Sequence, residues 1–389
     1  MKRLIIAFSF LISHFSFSFS QKSVYIPEDL RPMNLESDMS KWSWRRSAET
    51  RDVIFMWERG FGNDLQAPPR LEDKPMSFNL SVLMERVQSF YTFFRDTLRF
   101  TLPGSKADRY KMMVMVNYSL DGTAYGGSYD NFIGALWVAP NRIQDKTMNC
   151  MAHELGHSFQ SQIMADSVGQ CWGGTGFFEM ASQWMLWQVN PWWLRDENYH
   201  FEAFKGLTHK AFLHMENIYH SPYVIQWWSD LHGRTSIAEL FRQGRIGEDP
   251  VMTYKRMYNL TQQQFCQEML EGYKHLVDFD FKHARLETRP YACTWSTPLD
   301  TLKGGWLKPT TTLEDYGFHI IPLPTTKAKP KILVEGESVM WDLVQVEKRY
   351  YLVVMGAPKE HRQLYSFSEE EGPRSKGQPR QYPYRFRVK

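Results

Sequence analysis

Cysteine is scarce in this chain: only Cys150, Cys171, Cys266 and Cys293 occur, and none precedes residue 150. A lipid-anchoring cysteine behind an N-terminal leader therefore has no support. In an oxidising compartment the four allow at most two bridges, with three possible connectivities; Cys150 and Cys171 read as buried thiols or disulfide halves. A charge excess is missing as well. Lys2 and Arg3 supply two of the 46 basic residues, which leaves 44 against 43 acidic ones once a leader is removed. A nucleic-acid binder would show a basic excess or stripe, so no nucleic-acid partner is expected. After the first twenty residues no apolar run is long enough to span a bilayer, so the mature chain is expected to carry no transmembrane anchor.

The apolar run that is present lies at the start. Met1-Lys2-Arg3, the stretch Leu4 to Phe19 and small Ser18 and Ser20 ahead of Gln21 have the make-up of a cleavable signal peptide. That places the mature protein outside the cell, in the periplasm or at the cell surface. The remaining length suggests two or three domains.

One short motif carries chemistry. His153-Glu154-Leu155-Gly156-His157 puts two histidines four residues apart where a helix is expected. Residues at that spacing share a helix face, with Cβ atoms about 5–6 Å apart, so both imidazoles can close on one metal ion. Glu154 then falls where a carboxylate can act as a general base on a water molecule.

The flanking pattern supplies the context. Asp52 to Trp57 reads as a strand, and Leu80, Leu83, Val87, Phe90, Phe94 and Leu98 mark an amphipathic helix. Met112 to Val116 and Ile133 to Ala139 read as two more strands, the second stopped by Pro140. Asp145 to Met164 follows as the helix of the motif, with Met148, Met151, Leu155 and Phe159 as its apolar stripe.

This order, over Asp52 to Asn190, resembles the zincin metallopeptidases, in which a twisted sheet backed by one helix overlies the metal-binding helix. The resemblance implies an α+β chain: a zincin-like catalytic domain, with a twisted mixed sheet, an active-site helix and a helical lower half. It also implies that Ile133 to Ala139, just before the motif, is the edge strand along which an extended peptide is held. A catalytic zinc needs three protein ligands and an open position. Metzincins place a histidine soon after the motif, but Ser158 to Cys171 contains none. Gluzincins use a glutamate on the next helix, and Glu179, with 21 residues between it and His157, is the only carboxylate from Ser167 to Asn190. The implied set is one Zn2+ per chain held by His153, His157 and Glu179. Many gluzincins carry an aspartate four residues after that glutamate; here the position is Gln183, whose amide can accept an imidazole N–H without raising its basicity.

An oxyanion donor is sought in Phe212 to Gly233, where His214, Tyr219, His220 and Tyr223 cluster around a Ser-Pro helix start. Tyr219 and His220 are the candidates, with His200 a weaker one. Trp184, Trp187, Trp192, Trp193, Trp227 and Trp228 raise a second hypothesis, a carbohydrate- or surface-binding protein on the same scaffold with little catalysis. As a whole, the motif, the Gly-rich entry to Glu179 and Tyr219-His-Ser-Pro-Tyr223 resemble uncharacterised secreted bacterial gluzincin-like proteins. That resemblance implies export and a metal and leaves the substrate open; the peptidase reading itself expects a protein or glycoprotein substrate.

Domain limits follow: leader 1–20, an arm or pro-segment 21–47 with no cysteine to mask a metal, catalytic domain 48–285, and a β-rich domain 286–389. Asp249 to Arg285 reads as helical. Beyond it, Gly317 to Leu323, Lys331 to Val334, Val339 to Val346, Tyr350 to Met355 and Tyr382 to Val388 read as strands of a small β-sandwich-like domain, a possible place of glycan contact.

Overall fold

Three long apolar runs make the centre of the first sheet. In the computed structural model, which describes residues 21–169, 172, 176–283, 285–324, 328–368, 372–375 and 377–389, β1 (Ser47–Glu49) and β2 (Val53–Trp57) are followed by helix α1 (Leu80–Asp96). β3 (Met112–Val116), β4 (Ala124–Tyr129) and β5 (Ile133–Val138) complete a sheet of order β1-β2-β3-β5-β4. β2, β3 and β5 are parallel and almost wholly buried, as expected where both faces of a parallel sheet are covered. β1 and β4 run antiparallel at the two edges. Ile133 to Ala139 is thus an interior strand, and the edge belongs to Ala124–Tyr129, which was not expected from the sequence. The reason is Gly126-Gly127, which weakens the strand pattern.

α2 (Asn149–Ala165) carries the histidine motif and packs on β4, β5 and α1. It begins four residues later than the sequence suggests, because Asp145 accepts the Met148 N–H in a turn that precedes the helix. Phe159 on α2 meets Tyr91 and Phe94 on α1, at ring-centroid distances of 5.0 and 5.7 Å. α3 (Phe177–Val189) packs closely on α2: a Cβ on Gly156 would come within 2.7 Å of Ser182 Oγ.

The lower half contains α4 (Trp193–Asp196), α5 (Asn198–Leu207), α6 (Tyr223–His232), α7 (Ser236–Gln243), α8 (Pro250–Met257), α9 (Gln262–Leu276) and α10 (Arg285–Thr288). The helical stretch expected from Asp249 is divided at Asn259, whose φ is +50°, and restarts with Thr261 and Gln264 as a capping box.

Beyond these lie β6 (Leu299–Leu302), β7 (Trp306–Pro309), β8 (Phe318–Pro322), β9 (Ile332–Gly336), β10 (Val339–Val346), β11 (Arg349–Gly356), β12 (Tyr365–Ser368), β13 (Gly372–Ser375) and β14 (Tyr384–Val388). Two antiparallel sheets, β10-β11-β8 and β6-β7-β14-β9, enclose a small core of Ile321, Leu352, Val354, Tyr384 and Phe386. Alternate residues of β8 and β11, including Phe318, Ile320, Val353 and Met355, turn the other way into the main core, where Phe318 stacks on Tyr273 of α9 at 3.9 Å. The chain is α+β with mixed and antiparallel sheets.

The arm ahead of β1 is part of this body. Leu30, Leu35 and Trp42 are buried in the main core, and Lys22 Nζ lies 2.6 Å from the fully buried Asp52 carboxylate. Cys150, Cys266 and Cys293 are free thiols, so no bridge joins them; burial pushes Cys150 up to about 12 and Cys266 up to about 11. Cys171 and the expected leader 1–20 lie outside the described residues. Among the described residues no helix is long and apolar enough to cross a membrane.

Candidate metal centre

Consecutive turns of α2 and the first turn of α3 build the site. His153 and His157 lie one above the other, rings 4.8 Å apart at an interplanar angle of 82°, with their Nε2 atoms 3.1 Å apart. Glu179 Oε2 is 3.0 Å from His153 Nε2 and 3.1 Å from His157 Nε2. Its place in the first turn of α3 suits a carboxylate, since the helix dipole is positive there. The edge strand closes the other side: a side chain at Gly126 of β4 would collide with the Glu154 carbonyl oxygen and come within 2.8 Å of His157 Cβ.

Each imidazole is held from behind by an amide. Gln183 Oε1 is 3.0 Å from His153 Nδ1, and Gln160 Oε1 is 3.0 Å from His157 Nδ1. The amide orientations are fixed by their other ends, because Gln183 Nε2 donates to the Tyr219 carbonyl at 2.8 Å and Gln160 Nε2 to the Phe178 carbonyl at 3.0 Å. Only nitrogen can donate to a carbonyl, so each Oε1 faces an imidazole and each Nδ1 carries the proton. In the neutral rings both Nε2 atoms are then lone-pair acceptors. Two such nitrogens and a carboxylate oxygen converge within 3.1 Å, an arrangement that requires positive charge at its centre.

Without a metal, protons meet that demand. Burial raises the Glu179 carboxyl, yet hydrogen bonds from His153 and His157 hold it well below the usual carboxylate range. Burial likewise lowers His157, and Glu179 beside it reverses the direction and raises it. The same three atoms form the one candidate metal-ligand group found among the described residues.

Residues 16–339 match a protein family described as "Family of unknown function (DUF6055)". The chain belongs to this family. No curated protein and no solved structure matches the chain. The DUF6055 stretch holds the whole site, from β4 through Glu179 to Tyr219, and ends at the first residue of β10.

The remaining expected residues divide. The Glu154 side chain is partly exposed and makes no hydrogen bond or ion pair within the described residues. Tyr219 stands over the centre with its ring 6.1 Å from that of His153. Burial, then the Glu179 and Glu154 carboxylates, push its hydroxyl up to about 12, which keeps it a donor at neutral pH. His220, the next residue, turns away: its Nδ1 is 2.7 Å from His200 Nδ1. His200 Nε2 lies 3.3 Å from Gln183 Nε2 and so accepts from it, with burial lowering this imidazole to about 4 and keeping it neutral. His214 caps a short turn at Met215–Asn217, accepting the Glu216 N–H, and Tyr223 is buried. Of the six tryptophans, Trp184, Trp187, Trp193 and Trp228 are at most 2 % exposed and Trp227 is 9 % exposed. They are core, and only Trp192 offers a surface ring.

Gln160 was not foreseen. It stands three residues after His157 on the same helix face, a spacing the sequence does contain.

Proposed function

We propose that this chain is a secreted zinc-dependent peptidase of the gluzincin type, with His153, His157 and Glu179 as the ligands. The observation that carries this reading is the convergence of three acceptor atoms, a Glu179 oxygen and two imidazole nitrogens whose rings have their Nδ1 protons already committed to amide oxygens. The triangle they form has sides of 3.0–3.1 Å. Ligands about 2.0–2.1 Å from a tetrahedral zinc stand roughly 3.3 Å apart, so a small outward relaxation seats the ion. Nitrogen and carboxylate donors suit zinc.

The fold supports the same reading. A mixed sheet with one antiparallel edge strand against the motif helix, and the glutamate on the next helix, is what a zincin-like layout calls for. The two facing antiparallel sheets near the C-terminus support a β-sandwich-like unit within 286–389. The free edge of β4 offers main-chain groups to an extended protein or glycoprotein substrate. The leader composition of Met1 to Ser20 supports export.

Zinc in such a site polarises a carbonyl and acidifies water. The residues of the chain divide the rest. Glu154, beside the ligands and without a partner within the described residues, takes the proton from water and delivers it to the leaving amine. Tyr219 donates its hydroxyl proton to the oxygen on which negative charge develops.

A peptide-library cleavage assay on the wild type and Glu154→Gln tests this. The wild type is expected to cleave, and the variant to keep its zinc while losing about 10²–10⁴ in rate. Undiminished turnover by Glu154→Gln would show that this carboxylate is not the base.

A further inference from the structure

We propose that Gln160 and Gln183 are positioning residues that tie the ligand imidazoles to two other parts of the site, so that metal binding also orders the segment carrying Tyr219. This rests on the zinc reading above and extends it to residues that touch neither metal nor substrate.

Each amide uses both of its ends. Gln183 accepts from His153 Nδ1 and donates to the Tyr219 carbonyl; its second N–H reaches His200 Nε2. Gln160 accepts from His157 Nδ1 and donates to the Phe178 carbonyl, next to the ligand Glu179, and to Ser182 Oγ at 3.2 Å. A carboxylate could do the first half of either task and not the second, because it has no proton to donate and would face a carbonyl oxygen. The amide at position 183, where many gluzincins carry an aspartate, is therefore required by the backbone behind it. Gln183 is only 3 % exposed and Gln160 only 1 %, so water does not readily replace either partner.

The consequence is thermodynamic. Seating a metal fixes the His153 ring, the ring fixes the Gln183 oxygen, and the other end of that rigid amide fixes the Tyr219 carbonyl. Whatever favours one state of this chain of bonds favours the others by the same free energy. The segment reports on itself, because the Asn217 N–H is bonded to the His214 carbonyl at 2.8 Å and the His220 N–H to the Asn217 carbonyl at 2.9 Å.

The test is hydrogen exchange on the full-length protein, zinc-loaded and chelated, with Gln183→Glu and Gln160→Glu beside the wild type. In the wild type, zinc should slow exchange of Asn217 and His220 by about tenfold, within the usual range of coupling between sites. Gln183→Glu at about pH 8, where the new carboxyl is ionised, should still take up zinc, yet its Asn217 and His220 should exchange at the chelated rate. Gln160→Glu should shift the visible absorption of the Co(II)-substituted protein while leaving zinc protection of Asn217 and His220 intact, since its donor goes to α3. That variant also keeps the proposal testable if Gln183→Glu does not fold: loss of segment protection in Gln160→Glu, or an unchanged cobalt spectrum, would overturn it. Full zinc protection of the segment in Gln183→Glu would overturn it too, with the zinc site itself standing. Failure of the wild type to take up zinc would overturn this proposal together with the functional reading on which it rests.

Discussion

The tautomer of two imidazoles decides how the centre is read, and it is decided by atoms outside the histidines. The Tyr219 and Phe178 carbonyls orient Gln183 and Gln160, and those amides leave His153 and His157 with lone pairs aimed at Glu179. That His153, His157, Glu179 and Gln183 come together was legible in the sequence, from helix spacing, the scarcity of carboxylates nearby and the gluzincin pattern. Gln160 was not, because its second partner lies on another helix. Tyr219 and His220 could not be told apart either: neighbours on a loop point in different directions, and only the folded chain puts the tyrosine near the His153 ring and the histidine against His200. If Tyr219 is the oxyanion donor, Tyr219→Phe should lower kcat by about 10²–10³ with zinc content unchanged. Steady-state kinetics beside metal analysis checks this, and an unaltered kcat would remove Tyr219 from the chemistry.

At the scale of elements, the site depends on how closely β4 approaches α2. Gly126 lies against the Glu154 carbonyl, and Gly156 allows α3 the same close approach, so two glycines permit the three elements to meet around His153, His157 and Glu179. Gly126→Ala should force the strand off the helix at a cost of about 1–3 kcal/mol, as overpacking of a tight contact does, and should weaken zinc binding with it. Urea unfolding and zinc titration of the variant check both. Wild-type values for each would mean that the strand's approach is not what shapes the site. Gly126, with Gly127 beside it, also explains the misplaced edge. Buried parallel strands announce themselves as apolar runs, as β2, β3 and β5 do, whereas Ala124-Tyr-Gly-Gly-Ser-Tyr129 has neither the run nor the alternation. The break between α8 and α9 was hidden similarly, since apolar spacing continues across it.

For the whole molecule, composition was informative about class and much less so about how its parts join. The arm before β1 supplies core residues and is anchored by Lys22 on Asp52, and the three-stranded sheet near the C-terminus serves two cores at once. Such sharing depends on side-chain alternation between faces, which a chain of short strands shows only once it is paired. One buried group there sets a pH dependence. The buried His319 ring has Tyr384 and Thr311 hydroxyls as partners at 3.0 and 2.9 Å, and burial, which disfavours its charged form, lowers it to about 3. Unfolded, a histidine titrates near 6.5. The unfolded chain therefore takes up this proton first as the solution is acidified. The stabilisation is complete above about pH 6.5 and declines as the pH falls towards 3, by roughly 3 kcal/mol at pH 4. Urea unfolding at pH 7 and pH 4 should show this loss reduced in His319→Gln. An equal loss in both proteins would assign the acid sensitivity elsewhere.

His153, His157 and Glu179 are proposed to hold a metal ion. Quantitative metal analysis of the full-length protein after purification and zinc loading tests it most directly, with His153→Ala as the comparison. The wild type should hold one zinc per chain and the variant should retain none. A folded wild-type chain without stoichiometric zinc, or a His153→Ala protein that keeps it, would contradict the account.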